Sequence, residues 1–258
     1  MEYALPPLVA MFIWWFGTGL VMLLDGQPRD TYRWSLATSS VIALGALVCI
    51  AKSANNTSVA GAYAAFTCAV LVWGWHELTF LTGWLTGPRK TVCSNPDHGP
   101  TRFIEAVRVI QWHEAALLAM LAAIVGLTWG GANQVAAWTF GLLWVMRLSA
   151  KLNLFLGVRN LGEEFLPAHL KYLRSYFVRR RMNALLPFTA VGGSLLALAL
   201  ILQAIDSSGA ARVGALLVAS MTVLAVAEHL LLVLPLPPTA LWRWALRDRP
   251  AETIAAAP

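Results

Sequence analysis

The chain has 258 residues, 58% of them hydrophobic and only 12% charged, with a mean hydropathy of +0.63 and a net charge of +6. A soluble domain carries about twice that charged fraction, and the hydrophobic residues come in runs of about 20, enough for one bilayer crossing at 1.5 Å per residue. This excludes a soluble core in favour of an all-α integral membrane bundle of about seven transmembrane helices. The basic excess is spread along the loops like a topology signal, so no nucleic-acid partner is expected.

The spans fall near residues 3–24, 33–51, 58–85, 102–128, 132–151, 187–205 and 213–235, within one polytopic domain covering 1–240. The first has Glu2 as its only early charge and no small-x-small cleavage site, so it reads as a retained helix and not a signal peptide. Between spans two and three, the run Asn55-Asn56-Thr57-Ser58 reads as a turn and a helix cap. The loop holding His98 has Pro, Asn and Gly and reads as a solvated turn. Cys49, Cys68 and Cys93 are dispersed, without metal spacing, and read as packing or surface residues.

Residues 153–186 between spans five and six are long enough for structure of their own. Pro167 can open a helix, and Leu166, Leu170, Leu173 and Phe177 recur at helical spacing beside Lys171, Arg174 and Arg179 to Arg181. The pattern predicts an amphipathic helix on the anionic cytoplasmic leaflet; a partner-docking helix would look the same. A short cytoplasmic tail, 241–258, follows span seven. Lys and Arg gather at Arg29, Arg33, Arg89, Lys90, Arg102, the 153–186 segment and the tail, against only Lys52 and Arg212 on the other side. The positive-inside rule then puts the N-terminus in the periplasm and the C-terminus in the cytoplasm of a bacterial inner membrane.

Ionisable residues inside spans cost about 2.5–3.5 kcal/mol each on insertion scales, so each needs a reason. Span three has His76 and Glu77, span four His113 and Glu114, and span seven Glu228 and His229. Span five has Arg147 and Lys151, four apart and so on one face. With the orientation assigned, the three histidines lie roughly 12, 16 and 9 Å from the cytoplasmic ends of their helices, in one layer.

Three readings follow. A metal centre, iron (a di-iron pair) or zinc, would draw on His76, Glu77, His113, Glu114, Glu228 and His229, with Glu164 and His169 added if the following segment folds back. Against it, neighbours on a helix diverge by about 100°, and the Glu-x-x-His pairing of di-iron bundles is missing. A tetrapyrrole could instead be ligated through its central metal by His76, His113 or His229, the many tryptophans suiting a flat macrocycle. The default is a buried network in which the carboxylates pair with Arg147, Lys151 and the histidines and hold the helices in register. No nucleophile elbow, phosphate loop or zinc-protease motif occurs.

The stretches 75–90 (WHELTFLTGWLTGPRK), 147–177 (RLSAKLNLFLGVRNLGEEFLPAHLKYLRSYF) and 182–188 (MNALLPF) closely resemble the PuhE family of photosynthetic complex assembly proteins from purple and related phototrophic bacteria. The resemblance spans about 60–235. It implies a factor of the intracytoplasmic membrane that aids assembly of the reaction centre and light-harvesting complexes or modulates bacteriochlorophyll supply, with pigment, its precursors or those subunits as partners. It carries over no catalytic residue. The alternative is a membrane metal-dependent oxidoreductase acting on a lipid-soluble or tetrapyrrole substrate.

Overall fold

In a computed structural model, which describes residues 2–94, 99–234 and 238–246, the chain is an all-helical bundle. Seven helices are long and apolar enough to cross a membrane: α1 (Leu5–Asp25), α2 (Tyr32–Ser53), α3 (Val59–Leu81), α4 (Pro100–Leu127), α5 (Val135–Leu156), α6 (Leu185–Ile205) and α7 (Gly209–Leu231). The ends have local causes. Prolines stand in the first turns of α1 and α4, where a missing N–H costs nothing. Ser58 caps α3 by accepting from the Gly61 amide at 3.1 Å. Gly157 ends α5 at φ +119, a backbone that L side chains rarely adopt.

The helices α3 and α7 form the centre, each with about half of its spanning residues buried, against about a fifth or less for the others. Around them, α2 packs on α3, α6 on α7, and α5 on both; α1 also leans on α3 and α7 but barely touches α2. The core is Phe66, Val72, Leu117, Ile124, Phe140 and Leu217, closed by small residues such as Ala62, Ala65 and Ala69 that let α3 approach its neighbours. At the Lys52 end, Asn133 donates to the Asn56 and Gly61 carbonyls and knits two loops together.

At the opposite end the segment after α5 differs from the predicted surface helix. It holds a 3-10 turn (Glu163–Phe165) and a 3-10 helix (Ala168–Tyr176). Three residues per turn align Leu170, Leu173 and Tyr176 on one face, and that face is buried against Phe80 of α3 and Val109 of α4. The apolar stripe is therefore spent on the bundle and not on lipid. The basic face is also partly paired at home, since Arg174 and Arg179 both reach Glu163. The buried Arg102 of α4 donates to the Tyr176 carbonyl at 2.6 Å and lies 4.0 Å over the Phe155 ring. Asn183 closes the segment by bonding Asn153 and Gly157, and its own Oδ1 caps α6.

Residues 238–246 likewise pack on the bundle: Pro238–Trp242 is a 3-10 turn and Arg243–Leu246 a single α-turn, α8. The Trp15 indole donates to the Leu241 carbonyl, and the Trp242 indole to the Trp15 carbonyl, each at 3.0 Å. His98, Pro235, Arg247 and Arg249 lie outside the described residues.

Candidate functional site

The layer of intramembrane charge is organised by one turn and a half of α5. Arg147 donates to Glu77 of α3 at 3.0 Å. Lys151 donates to Glu114 of α4 at 2.6 Å, and the Trp144 indole donates to the other oxygen of Glu114 at 3.3 Å. Between them Ser149 meets the His229 Nε2 at 3.1 Å and the Thr189 hydroxyl of α6 at 2.9 Å. His229 Nδ1 faces the Ala225 carbonyl at 2.8 Å, which places a proton on Nδ1. Glu228, one residue back, turns away from this chain and accepts from the Trp14 indole of α1 at 2.7 Å.

Each His–Glu pair is thus split by the 100° between successive helical residues. Glu77 and Glu228 face a large internal cavity, whereas His76, His113 and His229 are 1%, 0% and 2% exposed and none lines it. The His76 ring meets Trp75 and Phe140 edge-on, and the His113 ring lies 4.6 Å from Phe80. Neither ring of these two makes a hydrogen bond.

The cavity measures about 990 Å³, the upper end of what small-molecule sites occupy. Its walls are mainly apolar and aromatic, contributed by every long helix except α6. Glu77, Arg147, Lys151 and Glu228 make its polar patch. Arg147 keeps 42% of its side-chain surface accessible, yet the surface it offers faces this interior space. The Glu77–Arg147 bridge uses one atom from each partner, leaving Glu77 Oε1 and Arg147 Nε buried without a hydrogen bond. A buried polar atom left so costs about 1–3 kcal/mol. On the side where α1 and α2 separate, Phe12, Phe16 and Leu20 of α1 and Trp34 and Ile42 of α2 line the cavity and are also exposed to the outside. That gap lies on the lateral, apolar side of the bundle. Leu161, Phe165, Leu173 and Trp242 close the end nearest the basic loops.

The metal candidates are not gathered. Among the described residues no three of His, Cys, Asp and Glu are close enough to share one ion. Glu77 and Glu114 are taken up by cations, Glu164 is exposed on its 3-10 turn, and His169 bonds the Leu81 carbonyl at 2.8 Å. Axial ligation inside the cavity by His76, His113 or His229 is likewise unavailable, because their rings point elsewhere.

Several contributors escaped sequence reasoning. Trp14 sits in an apolar run where nothing marks it as the donor to Glu228. Asn160 holds the end of α7 by donating to the Leu231 carbonyl at 2.7 Å. Gly87 passes so close to α4 that an added Cβ would lie 2.0 Å from the Arg108 carbonyl oxygen. Beside it the His113 amide donates to the Thr86 carbonyl at 2.9 Å. The Gly-Pro dipeptide there signals a turn, but not what the turn packs against.

A family described only as a protein of unknown function, DUF3623, matches residues 1–253. The chain belongs to that family. It is also 38% identical over 255 residues to an uncharacterized 30.4 kDa protein in the puhA 5′ region of Rhodobacter capsulatus, covering 96% of this chain and 93% of that protein. No solved structure matches.

Proposed function

We propose that this multi-pass membrane protein serves the photosynthetic membrane as an assembly factor or modulator of bacteriochlorophyll supply. On this reading it takes a lipid-soluble pigment or precursor into its cavity from the bilayer. Its N-terminus lies in the periplasm and its C-terminus in the cytoplasm of the bacterial inner membrane. The observation that carries the reading is the aromatic-walled cavity of about 990 Å³, open between α1 and α2, with buried polar atoms awaiting partners on Glu77 and Arg147. An amphipathic ring system with polar substituents satisfies both features at once. The location of the Rhodobacter capsulatus relative beside puhA supports a photosynthetic role, as does the resemblance of residues 75–90 and 147–177 to assembly proteins.

The protein's own part is to bind and orient. Aromatic and aliphatic side chains exclude water from the ring, and Arg147 and Lys151 supply donors at its polar edge, while Glu77 and Glu228 supply acceptors. Any metal held at the centre of the pigment comes with the pigment, and no histidine of this cavity reaches it.

The test is purification of the full chain from pigment-producing membranes, followed by an absorption spectrum and metal analysis. A tetrapyrrole band retained at a defined stoichiometry, and lost when the cavity is filled by Gly17→Trp, is the expected result. Iron or zinc bound without pigment, and lost in His113→Ala, would favour the oxidoreductase alternative. Neither pigment nor metal would reduce the charged layer to a helix-registering network.

A further inference from the structure

A second pocket, of about 270 Å³, lies at the end of the bundle that carries the basic loops and shares no lining residue with the large cavity. It is walled by Arg29 and Tyr32 from the α1–α2 connection, Thr82 and Gly83 after α3, Lys90, and His169 and Tyr172 of the 3-10 helix. No acidic residue lines it. Arg29, Lys90 and His169 thus share one pocket, and both cations act electrostatically on His169. Lys90 uses one of its donors on the Gly83 carbonyl at 3.2 Å, and an ammonium has others to give. The Tyr172 ring forms part of the wall, with its hydroxyl buried on the side of Thr86. Gly83 holds φ +77, and a Cβ there would lie 2.9 Å from the His169 ring, so the wall is shaped by a residue that leaves the pocket clear.

We propose that this pocket is an anion site taking a phosphate group, with Arg29 and Lys90 as its cationic contacts. Phosphate is favoured over a carboxylate because its oxygens, spread around a tetrahedron, meet two cationic donors arriving from separate segments. A lipid headgroup and a free phosphate share this chemistry. The proposal is independent of what the large cavity binds.

The experiment uses the full chain in neutral detergent, titrated with phosphatidylglycerol or phosphatidylcholine and read by native mass spectrometry. Phosphatidylglycerol is expected to be retained about ten-fold better than phosphatidylcholine. The double variant Arg29→Gln and Lys90→Gln should remove that preference, while Arg159→Gln, an exposed basic residue outside the pocket, should leave it unchanged. Arg29 is exposed and its loss leaves the Lys90 contact to Gly83 intact, so Arg29→Gln alone should fold and weaken retention about three-fold. Displacement of phosphatidylglycerol by millimolar inorganic phosphate identifies a free-anion site; retention of the lipid at that concentration identifies a headgroup site. The proposal is overturned if Arg29→Gln and the double variant bind phosphatidylglycerol like the parent chain. It is equally overturned if neither that lipid nor phosphate binds better than phosphatidylcholine.

Discussion

The Trp14 indole of α1 donates to the Glu228 carboxylate of α7 at 2.7 Å, across the wall of the large cavity. The bond adds to the packing of α1 on α3 and α7, on the side of the cavity where α1 barely touches α2. Trp14→Phe keeps an aromatic ring, though a smaller one, and removes the donor. Leaving a half-buried carboxylate short of a partner costs about 1–3 kcal/mol, read as a lower Tm in detergent. Glu228→Gln added to Trp14→Phe should recover part of the loss, which a double-mutant cycle measures directly.

Arg147 and Glu77 compensate one another inside the bundle. Arg147→Gln strands the Glu77 charge and is expected to destabilise by about 1–3 kcal/mol, below the figure for a fully dry pair because the Arg147 side chain keeps part of its surface accessible. Glu77→Gln combined with Arg147→Gln should be milder than Arg147→Gln alone. Chemical unfolding of the three variants in the same detergent decides this, and equal loss in the single and double variants would refute charge pairing as the cause.

Gly17 faces the cavity with nothing within 4 Å of where a Cβ would lie. Gly17→Ala should therefore raise stability by about 0.5–1 kcal/mol through helix propensity alone. Gly17→Trp should keep the fold and fill the space, abolishing pigment retention. A Gly17→Trp protein that melts like the parent and still carries pigment would remove the cavity from the mechanism.

Gly87 has no such freedom, since α4 backbone occupies the space a Cβ needs. Gly87→Ala is expected to cost about 1–3 kcal/mol by overpacking. Protease susceptibility of the 82–94 connection should rise with it, because the bond from the His113 amide to Thr86 must lengthen.

His169 lies outside the membrane-spanning helices, and burial, aided by the nearby Arg29 and Lys90 charges, holds its imidazole below the usual value of 6.5, the bond to Leu81 opposing. With the folded-state pKa depressed, the unfolded chain binds the proton first. Its contribution to stability is then present above about pH 6.5 and is lost as pH falls towards the folded-state value. Melting between pH 7.5 and 5 should show a drop that His169→Gln diminishes.

Seven spans were legible in the sequence because bilayer thickness sets a minimum apolar run, and a helix satisfies its own backbone wherever it is placed. The cluster of His76, Glu77, His113, Glu114, Glu228 and His229 near Arg147 and Lys151 could be marked from depth alone. What the sequence left undetermined was rotation: neighbours on a helix point about 100° apart, and only packing chooses which one faces inward. Packing around α3 and α7 turned the glutamates 77 and 228 to the cavity and buried the histidines beside them in aromatic and hydroxyl contacts. The same holds for the segment after α5. Its apolar stripe was visible, but lipid and a protein groove attract such a stripe equally, and only the tertiary structure supplied Phe80 and Val109 as its partners.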